Sequence, residues 1–278
     1  MAPSKSSFVR PLPCKQPGIE AMVADTSCTF ARHTHDDFGI DLIHRGAQKS
    51  LSGRGLVEAG PGDVITVNPG EVHDGTPFDE TGRAWRMLYL HPSLVADVGQ
   101  DVLGHARQVE FSQPRIADRR LSQGFANAFI ATVSPDSEAS PLAWEQSLIL
   151  LLSGLLQPRL LERCAIPAGI VRAREQLDEA PLKAPTLAQL AETAELSRYQ
   201  LLRAFTRATG LTPHAYLTQR RLQQARRLIL GGMSLVESAA ASGFADQSHL
   251  TRLFKRTYGY PPGAYAKASV SLQFRSRR

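Results

Sequence analysis

The sequence has few cysteines and no long apolar run, and these two features argue against a disulfide-rich protein and against a membrane protein. Only three cysteines, Cys14, Cys28 and Cys164, occur in 278 residues, and they show no paired spacing. A disulfide framework is therefore not expected, and a reducing cytoplasm fits the pattern. The most apolar stretch, 142–161, is interrupted by polar residues, whereas a membrane span needs about 20 continuous apolar residues. We therefore expect a cytoplasmic protein without a signal peptide and without a membrane partner.

Motifs that commonly carry catalysis are also missing. The chain has no Gly-x-Ser-x-Gly nucleophile motif, no P-loop and no paired-carboxylate constellation. These absences argue against a hydrolase or a nucleoside triphosphatase. We expect no enzyme and no cofactor.

A segment of the C-terminal half is present twice. "YQLLRAFTRATGLTP" at 199–213 and "SHLTRLFKRTYGYPP" at 248–262 share Leu, Arg, Phe, Arg, Gly and Pro at positions 49 apart, as in Phe205 and Phe254. The likeness continues upstream at a spacing of 48, where Thr186-Leu187 corresponds to Ser234-Leu235. Two copies are too few for a solenoid, so we interpret them as a duplicated supersecondary unit.

Helix-start signals divide each copy into two helices. Capping-box spacing occurs at Thr186-x-x-Gln189, Ser197-x-x-Gln200 and Ser234-x-x-Glu237, and N-cap residues stand at Asp246 and before proline in Thr212-Pro213. The spacing predicts second helices over about 198–209 and 247–258, joined by a helix near 213–230. A short helix, a tight turn and a second helix form a helix-turn-helix, whose second helix enters a DNA major groove.

Charge is distributed unevenly between the two halves. Residues 167–278 hold 17 Lys/Arg against 7 Asp/Glu, a net charge of +10, whereas residues 1–166 hold 15 against 19, a net charge of −4. The C-terminal half alone is therefore expected to meet a polyanion. A basic helix face is often only a solvated surface, but two copies in register with matched arginines favour DNA.

Residues 186–265 resemble the DNA-binding domain of the AraC/XylS family of transcription regulators. The second copy carries most of the pattern: Ala239, Gly243-Phe244, Asp246-x-Ser248, Leu250-x-Arg252-x-Phe254-Lys255-Arg256 and Gly259-x-x-Pro262. Ser238 and Glu195 depart from it, since the family usually has Ile or Val at the first position and often Gly at the second. The resemblance implies a regulator of transcription, usually an activator. Its implied partners are double-stranded DNA, RNA polymerase and a second copy of the chain.

The resemblance also implies which side chains read DNA. The family's base-reading positions correspond to Arg198, Tyr199, Leu202, Arg203, Gln247, Ser248, His249, Thr251 and Arg252. Arg pairs with guanine and Gln with adenine, while Thr and Tyr contact a thymine methyl. Arg207, Lys255 and Arg256 lie further along the two helices and are expected to bind phosphates. For Leu202, packing inside the protein is an equal alternative.

The first half contains short β-like runs separated by glycines. "RHTHDDFGIDLIHRG" and "GDVITVNPGEVHDG" resemble the cupin-like sensor domain that AraC/XylS regulators often carry. The predicted fold class is therefore α+β, with an N-terminal β jelly-roll or cupin-like barrel and a dimerisation helix, followed by an all-α domain with two helix-turn-helix units. The expected boundaries are a loose tail at 1–18, the sensor at 19–160, a linker at 161–168 and the DNA-binding domain at 169–268.

The mouth of such a barrel is a natural site for a small-molecule effector. The residues expected to face it are His33, His35, Arg45, His73 and Trp85. No metal is expected, because a carboxylate ligand at cupin spacing after His35 is missing. Two alternatives remain open. The three histidines are ordinary surface or strand-end residues, or they hold zinc or iron, as three converging imidazoles can, in a cupin enzyme fused to a DNA-binding domain.

An apolar stripe lies within 142–161. Leu148, Leu152, Leu155 and Leu156 recur at helical spacing. This spacing is typical of a core helix packed on the barrel, while the resemblance implies a helix that forms a dimer, and the sequence leaves both interpretations open.

Overall fold

The structure is a computed structural model and describes residues 7–14, 16–104, 108–133, 141–158 and 166–273. The chain divides into two compact units, Met1–Leu160 with Lys267–Arg278 and Leu161–Ala266. Cys164 and most of the expected linker lie outside the described residues. Among the described helices, none is both long and apolar enough to cross a bilayer.

The first unit is built mainly from antiparallel strands. They are β1 (Phe8–Leu12), β2 (Ile19–Thr26), β3 (Phe30–His33), β4 (Phe38–Arg45), β5 (Gln48–Ser52), β6 (Gly55–Ala59), β7 (Val64–Val67), β8 (His73–Pro77), β9 (Arg83–Leu90), β10 (Val109–Phe111), β11 (Arg115–Ile116) and β12 (Leu156–Pro158). A six-stranded sheet has the order β1-β2-β9-β4-β7-β11, a four-stranded sheet the order β3-β8-β5-β6, and β10 pairs with β12. The predicted sheet-rich N-terminal domain is confirmed.

Three helices cover one face of the six-stranded sheet: α1 (Pro92–Leu103), α2 (Arg119–Val133) and α3 (Pro141–Ser153). Because side chains alternate along a strand, Ile40, Leu88 and Leu90 point to this face and are fully buried against helix residues such as Phe125 and Leu152. The opposite face of the sheet approaches the four-stranded sheet.

The leucine stripe of 142–161 belongs to this core. Leu148, Leu152, Leu155 and Leu156 are each at most 4% exposed. The structure therefore supports the core interpretation and removes these four side chains as a dimer surface. Other apolar residues of α3 remain exposed, namely Leu142, Ile149 and Leu150.

The N-terminal segment differs from the loose tail expected over 1–18. Within the described residues, Phe8–Leu12 forms β1 and pairs with β2 in register, with Phe8 opposite Asp25 and Leu12 opposite Ala21. The prolines of this segment obscured the strand pattern. They are tolerated because β1 is an edge strand, where a residue without an N–H need not break a ladder.

The second unit is helical. Its elements are α4 (Ala168–Glu179), α5 (Leu187–Ala194), α6 (Arg198–Thr209), α7 (Pro213–Leu230), α8 (Leu235–Ala241), α9 (Gln247–Tyr258) and the start of α10 (Pro262–Gln273). The three predicted capping boxes are present, and Thr212 and Asp246 cap α7 and α9 as expected. The predicted helix-turn-helix pair is therefore confirmed as α5–α6 and α8–α9.

The turn of each helix-turn-helix contains a left-handed residue at the equivalent position. Gly243 has φ +76°, and Glu195, 48 residues earlier, has φ +57°. A side chain in this region costs about 1–2 kcal/mol, which glycine avoids. Glu195 keeps the turn nonetheless, because its N–H bonds the end of α5 and its carboxylate lies 2.8 Å from the guanidinium of Arg172.

Each helix-turn-helix has its own apolar centre. Phe205 of α6 is fully buried with residues of α4, α5 and α7, and Tyr216 meets its ring edge-on at 5.5 Å. The matching Phe254 of α9 is fully buried among Tyr258, Tyr260 and Tyr265, with ring centroids 4.6, 5.7 and 5.9 Å away. The duplicated phenylalanines thus hold equivalent places in the two copies.

Candidate functional site

The second helices, α6 and α9, each bury one face and expose the other. Leu201 and Phe205 of α6, and Leu250 and Phe254 of α9, are fully buried. The predicted DNA-contacting residues lie on the other side. Those that are exposed are Arg198, Tyr199, Leu202, Arg203, Arg207, Gln247, Ser248, Arg252, Lys255 and Arg256. The same periodicity that anchors each helix therefore leaves its polar face open.

Two of the predicted contacts, His249 and Thr251, are only half-exposed. The ring of His249 meets Phe244 edge-on at 5.5 Å, and its backbone N–H donates to Asp246 Oδ1 at 2.7 Å. His249 therefore helps to fix the start of α9 against its turn, in addition to any role at DNA.

Leu202 and Tyr199 are more open than a core role would allow. Leu202 is 37% exposed and Tyr199 is 67% exposed. The guanidinium of Arg203 lies 5.7 Å above the Tyr199 ring, one helical turn away. This arrangement presents an apolar and cationic surface at the start of α6 and does not support packing as the only role of Leu202.

A single helix, α7, joins the two helix-turn-helix copies. α7 has 18 residues and so extends over about 27 Å at 1.5 Å per residue. Two successive major grooves on one face of B-DNA lie about 34 Å apart. With the turns at either end of α7, this length suits α6 and α9 to adjacent grooves.

In the first unit, three histidines converge between the two sheets. His33 pairs with His73 across β3 and β8 of the four-stranded sheet, and His35 follows β3. One nitrogen from each ring lies within 4.8 Å of the others. The His35 ring also lies 4.8 Å from that of Tyr89, on β9 of the six-stranded sheet. The predicted convergence is present.

Burial favours the neutral form of His33 and of His73. It lowers the pKa of His33 to about 3, with a further contribution from His73, and lowers the pKa of His73 to about 4. The hydrogen bonds of both rings run to backbone carbonyls, from His33 Nδ1 to Ala31 at 2.7 Å and from His73 Nδ1 to Glu71 at 3.1 Å. These bonds place the proton on Nδ1 and the lone pair on Nε2.

A buried arginine links the two sheets further along the same space. Arg83 of β9 is 1% exposed and donates to Gln48 Oε1 at 2.5 Å and to the carbonyls of Cys28 and Gly75. Its guanidinium carbon lies 4.8 Å from the ring centre of Trp85. Burial lowers the pKa of Arg83 to about 10.

Asp41, on β4, is the acidic group of this interior. It is 8% exposed, and burial raises its pKa to about 7, while the charge of Arg83 acts in the opposite direction. An interior that holds an arginine, a carboxyl, an amide and three imidazoles is unusually polar for a structural core. Such a set of convergent polar groups is typical of a small-molecule site.

The other two predicted effector residues, Trp85 and Arg45, lie in different surroundings from one another. Trp85 is buried in the interior and packs edge-on against Phe30 at 6.0 Å. Arg45 instead forms an ion pair with Asp25 and donates to the Thr81 carbonyl at 3.1 Å, with its side chain about one third exposed. It is not brought together with the histidines.

Sequence reasoning missed Asp41, Gln48, Arg83 and Tyr89. A signal existed, because Arg83, Trp85, Met87 and Tyr89 alternate along β9 and so must share a face.

A separate cleft of about 660 Å³ opens beside the loop 68–71 and α1. It was also missed, and it is lined by Phe38, Arg54, Glu71, Pro92 and Gln100, among others.

Two protein families match the chain, one in each half. The family described as "AraC-like ligand binding domain" matches residues 16–152, and the family described as "Helix-turn-helix domain" matches residues 190–268. Together these matches cover well over half of the chain.

Related proteins align with most of the chain. The uncharacterized HTH-type transcriptional regulator YbfI of Bacillus subtilis is 29% identical over 226 residues, which are 80% of this chain and 81% of YbfI. The HTH-type transcriptional activator RhaS of Yersinia pestis is 26% identical over 259 residues, 88% of this chain and 91% of RhaS. An apo ToxT variant of Vibrio cholerae shares the fold, with a TM-score of 0.57, 14% identity and coverage of 91% of this chain and 98% of that one.

The relatives and the matched families are those of transcriptional regulators rather than enzymes. The fold agrees with these matches, because a sheet-rich unit precedes two capped helix-turn-helix units. The chain belongs to the AraC/XylS family of transcriptional regulators, with an AraC-type ligand-binding domain and a helix-turn-helix DNA-binding domain.

Proposed function

We propose that the chain activates transcription in response to a small molecule bound between its two sheets. The observation that carries the proposal is the pair α6 and α9, which expose matched basic faces at either end of the 18-residue helix α7. Activation is proposed by analogy with RhaS, which is described as a transcriptional activator. RNA polymerase is then the protein partner at the promoter, in the cytoplasm.

The predicted DNA-contacting residues divide into two groups by their place on the helices. Those near the helix starts are proposed to read base edges: Arg198, Tyr199, Leu202, Arg203, Gln247, Ser248, His249, Thr251 and Arg252. Arg207, Lys255 and Arg256 lie in the last turns and are proposed to bind phosphates. The second group sets the register of the helices on DNA, and the first selects the sequence.

Replacing Arg252 with alanine is expected to weaken binding by about 1–3 kcal/mol and to relax preference at one base position, because a bidentate contact to a base is lost. Lys255→Ala, three residues further along, is the matched control. It should weaken all sequences alike and lower the slope of log affinity against log salt by about one. The operator is first selected from a random duplex library, and affinities are then measured for each single-base variant.

Two outcomes would contradict this division. If both variants lose affinity equally at every base position, Arg252 does not read sequence. If the full chain selects no common sequence from the library, the proposed DNA-reading role fails as a whole.

The effector is proposed to bind among the polar groups between the sheets. His33, His35, His73, Asp41 and Arg83 supply both hydrogen-bond donors and acceptors there. Trp85 adds an aromatic wall. An effector regulates only if it binds one conformation better than another. Footprints on candidate promoters with and without a metabolite extract would show ligand dependence, and a response lost when the extract is dialysed would show that a small molecule causes it.

We also propose that the chain forms a homodimer through the exposed side of α3. Leu142, Ile149 and Leu150 recur there at helical spacing and are 70%, 38% and 62% exposed. Burial of such side chains contributes about 1.5–3 kcal/mol each.

A charge at the centre of this surface should therefore separate the subunits. Leu150→Glu is expected to shift the chain from dimer to monomer at micromolar concentration, as measured by sedimentation equilibrium. Leu56→Glu is the control, since Leu56 on β6 is 64% exposed but lies on another element. A Leu150→Glu protein that remains dimeric, or a wild-type chain that is monomeric, would exclude this surface.

A further inference from the structure

The three histidines between the sheets lie close to the arrangement that three ligands of one metal ion adopt. Ring centroids are 4.5 Å apart for His33 and His73, 4.9 Å for His33 and His35, and 5.1 Å for His35 and His73. Donor nitrogens lie within 4.8 Å of one another. Three nitrogens bound tetrahedrally at 2.0–2.1 Å would be about 3.4 Å apart. Side-chain rotations that move each nitrogen by roughly 1 Å close this difference.

The hydrogen bonds of two rings orient them as metal ligands. His33 and His73 each use Nδ1 to donate to a backbone carbonyl two residues earlier, at Ala31 and Glu71. A metal-bound histidine almost always donates its other ring N–H in this way, which fixes the tautomer and the ring plane. The Nε2 lone pairs of both rings are then available to an ion.

The positions of the ligands are set by rigid elements. His33 and His73 are direct partners in the register of β3 and β8, and the backbone N–H of Gly70 donates to the His35 carbonyl at 2.7 Å. Exposures of 7%, 3% and 9% for His33, His35 and His73 keep bulk water from competing.

We propose that His33, His35 and His73 together bind one divalent transition-metal ion, with zinc as the best fit. Neutral imidazoles suit zinc and its first-row neighbours, whereas calcium and magnesium require oxygen ligands. Three protein ligands leave a coordination position for water or for an oxygen donor of a small molecule. The proposal concerns metal binding only, and it stands whether or not the chain activates transcription.

Cobalt(II) provides a direct test, because its visible absorption reports coordination number and does not depend on any activity. The untagged full chain is stripped with EDTA, dialysed and titrated with CoCl2. We expect visible bands of a four- or five-coordinate ion that saturate at one cobalt per chain and disappear on addition of one equivalent of zinc. Zinc should also raise the melting temperature of the stripped protein.

Variants assign the ligands. His35→Ala and His73→Gln should each weaken cobalt binding by at least the roughly 10-fold to 100-fold that loss of a ligand's hydrogen-bond partner costs, because a ligand itself is removed. His44→Ala is the matched control, since His44 lies on β4 of the same unit and is exposed. Cys28→Ser tests the exposed thiol. Both controls should bind cobalt as the wild type does.

Circular dichroism and thermal melting in EDTA show whether each variant folds. If His35→Ala does not fold, His33→Asn provides a smaller change at another proposed ligand. The proposal is overturned if the stripped wild type gives no saturable cobalt bands at micromolar concentrations. It is also overturned if folded histidine variants bind as tightly as the wild type. Sequence-specific DNA binding is measured on the same samples, so failure of the metal site and failure of the proposed function are told apart.

Discussion

Replacing Phe254 with alanine is expected to destabilise the helical unit by about 3–5 kcal/mol and to abolish DNA contact by α9. Phe254 is fully buried and contacts three tyrosine rings, Tyr258, Tyr260 and Tyr265, with centroids 4.6–5.9 Å away. Truncation removes the ring's transfer free energy and leaves a cavity that this aromatic cluster cannot easily fill. The recognition helix would then lose the surface that fixes its angle to α8.

The internal repeat provides the matched variant. Phe205→Ala should cost a similar free energy, since Phe205 is also fully buried, but it should affect α6 instead. Chemical denaturation followed by circular dichroism gives the free energy of unfolding, and footprinting shows which half of the operator is lost. Equal protection of both halves in a folded Phe254→Ala protein would show that α9 does not depend on this cluster.

Replacing Arg83 with alanine is expected to cost the sheet-rich unit about 3–5 kcal/mol, the range for removing one member of a buried charged network. The change leaves Gln48 Oε1 and the carbonyls of Cys28 and Gly75 without their donor. It also leaves Asp41 without the positive charge that favours its ionised form. Arg86→Ala, on the other face of the same strand, is the control and should cost less than about 1 kcal/mol.

The loss caused by Arg83→Ala should depend on pH in a definite direction. In the folded protein the pKa of Asp41 is raised from 3.8 to about 7. Asp41 therefore loses its proton at a lower pH in the unfolded chain than in the folded protein, and the free energy of unfolding falls as pH rises between those two values. Removing Arg83 raises the folded pKa further and extends this fall to higher pH. Urea unfolding at pH 5 and pH 8 should therefore show a larger deficit at pH 8. An equal deficit at both values would mean that Arg83 does not act on Asp41.

The sequence by itself determined the helical unit almost completely. The caps at Thr186, Ser197, Thr212, Ser234 and Asp246 are present where their spacing predicted them, and α6, α7 and α9 have the predicted bounds. Capping and helical periodicity act between residues three or four apart, so a short stretch of sequence contains the whole signal. The repeat then provided each helix-turn-helix with an independent second copy.

Only the tertiary structure decided the interior of the sheet-rich unit. His73 reaches His33 through the pairing of β3 with β8, 40 positions apart, and Arg83 reaches Gln48, 35 positions away, because the two sheets pack face to face. A shift of one residue in such a pairing turns every side chain to the other face, and no local pattern specifies the partner strand. For the same reason β1 was not predicted, because its proline argues against a strand unless the strand is known to lie at the edge of a sheet. It also explains the stripe of α3, where helical spacing showed an apolar face but could not show that the sheet, rather than a second subunit, covers Leu148 and Leu152.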